Sequence, residues 1–222
     1  MKSLLQSNQR TKLDATNDTL FYEVPRFVTH VDEGFIQQLT DLYRERLQPD
    51  GRVLDLMSSW VSHLPEEMSF EWVEGHGMNQ AELAKNPRLD HYFVQNLNEN
   101  DTLPLADQSF DAVLNTVSVQ YLQYPEALFS EIYRVLKPGG LAIISFSNRM
   151  FYQKAIAAWR DGTEAQRIVL LKQYFQSVPG FSTPEVIARP STVPPFLQML
   201  GLAGGDPFYV VIAERMEVLV HE

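Results

Sequence analysis

An acidic residue and a pair of serines follow a short apolar run that the sequence predicts to be a buried strand, residues 52–56. The run contains Asp55 and continues into Met57, Ser58 and Ser59. Glycines are common at such turns where the backbone must approach a ligand. Here the serine hydroxyls could bind a ligand carboxylate, or they could only cap the next helix, with Asp55 as a satisfied acid at a strand end. The sequence leaves both interpretations open.

A second group of polar and aromatic side chains precedes the first predicted core helix, in LFYEVPRFVTHVD. We expect Tyr22 and Arg26 to close over a ligand, and His30 to be the best-placed base, with Tyr22 as a second catalytic candidate. The alternative is a surface strap whose charges are solvated. Trp60 and His63 could line the same pocket, although core packing is the simpler interpretation of Trp60.

These side chains need a scaffold, and the apolar spacing predicts one. A helix begins after Asp32, its N-cap, and ends before Pro49 and Gly51. Its apolar face carries Phe35, Ile36, Leu39, Leu42, Tyr43 and Leu47. The helix delivers the chain to the strand that contains Asp55.

Strands and helices then alternate along the first two-thirds of the chain. We predict strands at 52–56, 70–73, 91–95, 110–115 and 141–146, with a short helix at 79–86 and a long one from Pro125 to Gly139-Gly140, which should end it in the left-handed region. Such alternation predicts right-handed crossovers and a parallel sheet.

The ends of the chain are less regular. Residues 1–20 lack a clear period and predict a mobile or loosely docked arm. Beyond Asn148 the sequence predicts helices at 150–160 and 163–178, a stretch rich in Pro and Gly from 179 to 207, and a last strand at 208–216 that pairs with 184–188. We expect one domain: an arm and strap at 1–31, a core at 32–150 and a C-terminal part at 151–222.

Composition narrows the classes of function. The 222 residues carry a formal net charge of −10, which disfavours binding to nucleic-acid backbones and favours a small-molecule substrate. No apolar run approaches a membrane span, and no cysteine is present. The five histidines show no metal-ligand spacing, so we expect no metal, no membrane association and a cytoplasmic protein. The sequence does not indicate the oligomeric state.

Three segments resemble the class I S-adenosylmethionine-dependent methyltransferases, and most closely their small-molecule type 11 branch. They are VLDL after a helix, LPLADQSFDAVLNTVSVQYL, and EALFSEIYRVLKPGGLAIISF. The resemblance covers about residues 50–150 and is strongest over 103–146. It implies a three-layer Rossmann-like α/β sandwich, with a mostly parallel seven-stranded sheet and an antiparallel last strand, and S-adenosylmethionine as the cofactor.

The resemblance also implies a cofactor loop that departs from the family's pattern. Asp55 keeps the family's acid position, but Met57, Ser59 and Val61 stand where its glycines belong, with Ser58 between them. The resemblance therefore implies Asp55, Met57, Ser58 and Ser59 as cofactor contacts.

The later strand ends vary as well. Gly77 stands where the family's acid binds the ribose hydroxyls, and Met78 follows where an apolar residue meets the adenine. A slip of register would offer Glu74 in place of Gly77. Further cofactor contacts are expected from Asn96 and Leu97 after the third strand, and from Asn115 at the end of the fourth. The substrate pocket is expected to include Arg26, Tyr121 and Asn148.

These departures leave two main hypotheses. The first is a methyltransferase acting on a small molecule through an atypical, glycine-poor loop. The second is an inactive relative that binds a partner or another metabolite in the same crevice, which would follow if Met57 and Trp60 fill it. A nicotinamide dehydrogenase fits poorly, because no G-x-G-x-x-G follows a strand.

Overall fold

The computed structural model describes residues 4–191 and 204–217. Seven strands form one sheet in the order β3-β2-β1-β4-β5-β7-β6. They are β1 (Arg52–Leu56), β2 (Trp72–Gly77), β3 (His91–Val94), β4 (Phe110–Thr116), β5 (Leu136–Phe146), β6 (Glu185–Arg189) and β7 (Phe208–Glu214). The first five are parallel, whereas β7 runs antiparallel to both β5 and β6. The α/β architecture and the antiparallel last strand are therefore confirmed.

The helices cover both faces of this sheet. They are α1 (Asp18–Phe21), α2 (Glu33–Arg46), α3 (Gln80–Leu83), α4 (Pro125–Val135), α5 (Ala157–Arg160) and α6 (Glu164–Gln176). On one face α2 packs Phe35, Leu39 and Tyr43 into an apolar core. On the other face α4 and α6 bury a second core around Phe129 and Phe175. The sheet thus has a separate core on each side, as a three-layer sandwich requires.

Several predicted elements agree closely with the structure. The first strand has the predicted bounds, and the tentative partner of the last strand is β6, one residue later than predicted. Asp32 caps α2, because its carboxylate accepts a hydrogen bond from the Phe35 amide at 2.8 Å. Within the described residues, no helix is long and apolar enough to cross a membrane.

The prediction for the second strand was wrong, because β2 occupies Trp72–Gly77 rather than 70–73. Its second half, EGHG, is polar and glycine-rich, yet it is buried between β1 and β3. A Cβ on Gly75 would lie 2.3 Å from the Leu89 side chain, which explains the glycine there. Strand propensity does not predict a strand built on close approaches of this kind.

The chain between β1 and β2 contains no helix in the described structure, so the prediction that Ser58 and Ser59 cap one was wrong. The role predicted for the Gly139-Gly140 pair was also wrong, since α4 ends at Val135 and the pair lies within β5. Gly139 is nevertheless left-handed, with φ +80°, and its amide donates to the Arg215 carbonyl at 2.7 Å.

The described part of the N-terminal arm, from residue 4, is docked rather than loosely attached. The Arg10 guanidinium pairs with the Glu126 carboxylate, and the ammonium groups of Lys12 and the buried Lys154 both contact the carboxylate of Asp18. The Asp14 amide also donates to the Gln153 carbonyl at 2.9 Å. A helix predicted at 150–160 is shorter than expected, because only Ala157–Arg160 is helical.

Candidate functional site

A cavity of about 290 Å³ opens where β1, β2, β3 and β4 end at the C-terminal edge of the sheet. This edge is where open α/β sheets bind their ligands. Most of the residues that the sequence places at a ligand site line the cavity: Tyr22, His30, Asp55, Met57, Ser58, Ser59, Gly77, Met78, Asn96, Leu97 and Tyr121. The topology therefore brings together the residues expected at separate strand ends and in the strap.

Three expected site residues do not line the cavity. The Asn115 amide donates to the Leu56 carbonyl at 3.1 Å, joining the ends of β4 and β1 from beneath. Arg26 is not a lining residue, but its guanidinium lies 4.5 Å from the centre of the Phe21 ring and 5.9 and 5.5 Å from those of Tyr22 and Phe151, which do line the cavity. Asn148 is exposed, and the next residue, Arg149, lines the cavity in its place.

Asp55 supplies a buried acid at the base of the cavity. Its Oδ2 accepts a hydrogen bond from the Ser58 hydroxyl at 2.6 Å. Burial raises the pKa of Asp55 to about 6, although the hydroxyls of Ser58 and Ser62 partly offset this by favouring the ionised form. Among the described residues, no salt bridge joins Asp55 to a cation. A cationic ligand group would therefore complement this carboxylate.

The loop after β1 is fixed to β2 by a histidine. The Met57 amide donates to His76 Nδ1 at 3.1 Å, so the ring proton lies on Nε2, which donates to the Gln95 carbonyl at 3.0 Å. Burial lowers the pKa of His76 to about 4 and keeps the ring neutral. The Ser58 amide also donates to the His76 carbonyl at 2.6 Å.

A second side chain holds the loop from the opposite side. The Asn86 amide donates to the Ser59 carbonyl at 3.0 Å and to the Ser62 hydroxyl at 2.8 Å. Met57 is left-handed at φ 59°, a strained conformation for a residue with a Cβ. Side-chain hydrogen bonds thus fix a loop that has neither glycines nor a helix.

Gly77 is required by this loop. A Cβ at residue 77 would lie 2.5 Å from the Ser58 carbonyl oxygen, a backbone atom that has no freedom to rotate away. An aspartate at this position, as in the family's pattern, would collide with the loop as it is built here. The glycine is therefore a packing partner of the serine turn.

The cavity is not filled by its own loop. Trp60 lies outside it, where the indole donates to the Val28 carbonyl at 3.1 Å and packs edge-on against Phe27. Met57 contributes to the lining and also packs against the core under α4. The closure that would have favoured an inactive relative does not occur.

Aromatic rings form the wall opposite the serine loop. Phe151 is central, with the His30 ring 5.3 Å and the Tyr121 ring 6.0 Å from its own. The Phe151 amide donates to the Tyr121 hydroxyl at 2.8 Å. Partial desolvation, and then the charge of Arg26, lowers the pKa of His30, while burial raises that of Tyr22 strongly. His30 is thus a neutral imidazole near pH 7.

His63 lines the cavity as expected, whereas several other lining residues were not expected from the sequence, among them Asp18 and Glu82. Glu82 stands three residues after Asn79, the spacing of a capping box, and that pattern correctly predicts a helix start. The Glu82 carboxylate instead accepts a hydrogen bond from the Arg26 amide at 2.6 Å, and burial raises its pKa. Glu82 and Gly77 both line the cavity, so the sequence after β2 supplies an acid there.

Comparisons with known proteins agree with this geometry. A family model described as a methyltransferase domain matches residues 75–144. The chain is 28% identical over 127 residues to the biotin biosynthesis bifunctional protein BioHC of Teredinibacter turnerae, covering 56% of this chain and 20% of that protein. It is 35% identical over 108 residues to a demethylmenaquinone methyltransferase of Corynebacterium efficiens, covering 47% and 46%.

A solved structure shares the fold. Phosphoethanolamine N-methyltransferase 2 of Haemonchus contortus, in complex with S-adenosyl-L-methionine, superposes with a TM-score of 0.56 at 19% identity, covering 82% of this chain and 52% of that one. The chain therefore resembles the class I S-adenosylmethionine-dependent methyltransferases in sequence over residues 75–144 and in its fold. It spans less than half the length of the curated relatives named above.

S-adenosylmethionine is the cofactor of the methyltransferases that this chain resembles, and the cavity has groups that suit it. Asp55 is a buried carboxylate with hydroxyl partners and no ion-paired cation among the described residues, which suits the ammonium of an amino acid. Ser118 presents a buried hydroxyl that has no partner in the described structure. Met78 and Leu97 supply apolar surface for a base.

Proposed function

We propose that this protein is a methyltransferase that transfers the methyl group of S-adenosylmethionine to a small molecule. The observation that carries the proposal is the open cavity at the sheet edge, with Asp55 at its base and the serine turn beside it. Similarity to a methyltransferase domain over residues 75–144 supports the cofactor. The net charge of −10 favours a small acceptor over a nucleic acid.

The residues on the β1, β2 and β3 side would hold the cofactor. Asp55, held by the Ser58 hydroxyl, would pair with its ammonium, while the Ser59 hydroxyl would donate to its carboxylate. Met78 and Leu97 would enclose the adenine, and Asn96 has an amide that can both donate and accept. The cofactor supplies a methyl group on a positively charged sulfur, which transfers by in-line displacement.

The aromatic wall would hold the acceptor. Methyl transfer depends strongly on positioning and on exclusion of water, and the rings of Tyr22, Tyr121 and Phe151 supply an apolar surface for both. An oxygen or nitrogen acceptor must also lose a proton. His30 lines this wall as a neutral imidazole, so its unprotonated nitrogen can accept that proton at neutral pH.

A second candidate function is an inactive relative that binds another metabolite. Two observations favour it: Gly77 removes the acid expected to bind a ribose, and the serine loop has no helix behind it. Loss of a charged hydrogen-bond partner weakens binding by about tenfold to a hundredfold. Glu82 and the serine hydroxyls must compensate if the cofactor binds.

Calorimetric titration with S-adenosylmethionine and S-adenosylhomocysteine tests the proposal. We expect saturable binding tighter than about 100 μM, equivalent to more than ~5 kcal/mol. Asp55→Ala should weaken it tenfold or more, whereas Asp107→Ala, at an exposed residue paired with Arg134, should leave it unchanged. Absence of binding by both ligands would favour the inactive relative, and an unaffected Asp55→Ala variant would refute the assigned cofactor position.

A further inference from the structure

The strap, residues 18–31, exposes an unusual amount of apolar surface at the mouth of the cavity. Leu20, Val24, Phe27 and Val28 expose 66%, 67%, 42% and 53% of their surfaces. Single exposed apolar residues are normal on soluble proteins, whereas here four lie within nine residues of sequence, beside a cavity that one of them lines.

Hydrogen bonds fix the strap in place. The Asn79 amide donates to the carbonyls of Tyr22 and Glu23 at 2.8 and 3.0 Å. The Arg26 amide donates to the Glu82 carboxylate, and the Trp60 indole donates to the Val28 carbonyl. The apolar side chains are therefore exposed on an anchored backbone and do not reflect a segment that has lost its packing.

The same strap forms part of the cavity lining. Tyr22 and Val28 contribute to it together with Phe151, and Val28 is also one of the exposed residues. Apolar surface thus continues from the aromatic wall inside the cavity to the outer face of the strap. A ligand that occupies the wall can leave the cavity over Val28 and reach Phe27, whose ring centre lies 4.3 Å from the Lys85 ammonium.

The size of the cavity indicates that part of the acceptor extends out of it. Its volume of about 290 Å³ lies at the lower end of the range of pockets that enclose one drug-sized ligand, roughly 300–1,000 Å³. A nucleoside cofactor bearing an amino acid would use most of this space. An acceptor larger than a single ring must therefore continue through the mouth.

We propose that the methyl acceptor is amphiphilic, with a reactive ring or head group against the aromatic wall and an apolar chain that lies on Leu20, Val24, Phe27 and Val28. This inference rests on the proposed function, because it assigns the wall to the acceptor and the serine loop side to the cofactor. It defines the class of substrate as one with a hydrocarbon tail.

A homologous series of 4-alkylphenols, from ethyl to pentyl, tests the inference by calorimetry on the protein saturated with S-adenosylhomocysteine. Each added methylene that reaches the strap should tighten binding by about fourfold. The triple variant Leu20→Ser/Val24→Ser/Phe27→Ser should bind 4-ethylphenol as the wild type does, but should lose most of the dependence on chain length. Val169→Ser, which changes an exposed apolar residue on α6, should retain that dependence.

The outcomes separate the two proposals. Failure of S-adenosylhomocysteine to bind the wild type refutes the proposed function. If it binds, equal chain-length dependence of alkylphenol affinity in the wild type and the triple variant overturns the tail site. The tail site is also overturned if 4-pentylphenol shows no saturable binding to the wild type at concentrations below about 1 mM. Thermal unfolding and S-adenosylhomocysteine affinity of each variant establish that it is folded, and the three single variants replace the triple variant if it is not.

Discussion

The two connections that leave β1 and β4 are built on opposite principles. Between β4 and β5 the chain forms α4, whose first turn contains Pro125 and whose apolar side chains are buried in the core. Between β1 and β2, the described chain at 57–71 has no helix and depends on His76 and Asn86 for its hydrogen bonds. The family model covers the first connection and begins only at residue 75, after the second.

This difference indicates which of the two connections should be more sensitive to substitution. A helix satisfies its own backbone groups, so α4 needs little from its neighbours and tolerates divergence while keeping its pattern. An irregular buried loop must obtain partners from particular side chains. The loop after β1 is therefore the part whose residues are most strongly coupled to one another and to the ligand, and it should respond most sharply to substitution.

The largest effect is expected from Gly77→Ala. The new Cβ would meet the Ser58 carbonyl at 2.5 Å, so the loop must move or the strand must bend. We expect destabilisation of about 3 kcal/mol and loss of S-adenosylhomocysteine binding, measured by urea unfolding and calorimetry. Gly34→Ala, where a Cβ would meet only Asp32 at 3.4 Å near the start of α2, is the matched control and should be near neutral. Equal behaviour of the two variants would contradict the assigned role of the loop.

Asp55→Asn should weaken cofactor binding by tenfold or more while preserving the shape of the turn. The reason is that an amide cannot pair with the cofactor's ammonium as a carboxylate does. Binding by the wild type should also tighten as pH rises through about 6, where Asp55 loses its proton, and the variant should lack this trend. Calorimetry at pH 5, 6 and 7.5 measures both; a wild-type affinity that is flat across this range would refute the ion pair.

The same substitution should change the pH dependence of stability in the opposite direction. The pKa of Asp55 is raised from 3.8 to about 6 on folding, so its contribution is fully present below pH 3.8 and is lost as pH rises through 6. His76, whose pKa falls from 6.5 to about 4, contributes stability that is lost as pH falls through that window. Asparagine does not titrate, so Asp55→Asn lacks the loss of stability that the wild type shows as Asp55 ionises. The unfolding free energy of the variant minus that of the wild type should therefore rise by roughly 2–3 kcal/mol between pH 4 and 7.5.

Urea titrations of both proteins at several pH values measure this difference. A constant offset from the altered hydrogen bond to Ser58 cancels, because only the change with pH is compared. Parallel curves for wild type and variant would show that the carboxylate is not desolvated by folding.

The sequence predicted the α/β order because its signals are local. The apolar run at β1 and the Pro125 start of α4 each specify their element within a few residues. The second half of β2 was missed because Gly75 and Gly77 are dictated by Leu89 and by the Ser58 carbonyl, contacts that only the fold reveals.

The candidate site was predictable to the extent that strand ends converge at one sheet edge. Asp55 is the next-to-last residue of β1 and Asn96 lies two residues after β3, so the topology alone brings them together. Glu82 was missed because its spacing from Asn79 is fully explained as a helix start. His76 was considered only as a possible metal ligand, since its hydrogen bonds link two segments that are remote in sequence.

The smallest effect is expected from Asn86→Ala. Asn86 lies outside the cavity lining, and its loss removes the hydrogen bonds that its amide donates to the Ser59 carbonyl and to the hydroxyls of Ser62 and Ser58, together with the one that its Oδ1 accepts from the Arg88 amide. A net loss of about 1–2 kcal/mol in unfolding free energy and a few-fold weaker S-adenosylhomocysteine binding should result, because His76 still holds the opposite side of the loop. Asn100→Ala, which removes a hydrogen bond to the Thr102 amide in an exposed turn, should leave the affinity unchanged. A loss as large as that of Gly77→Ala would mean that Asn86, rather than the packing of the loop on β2, determines the shape of the cofactor site.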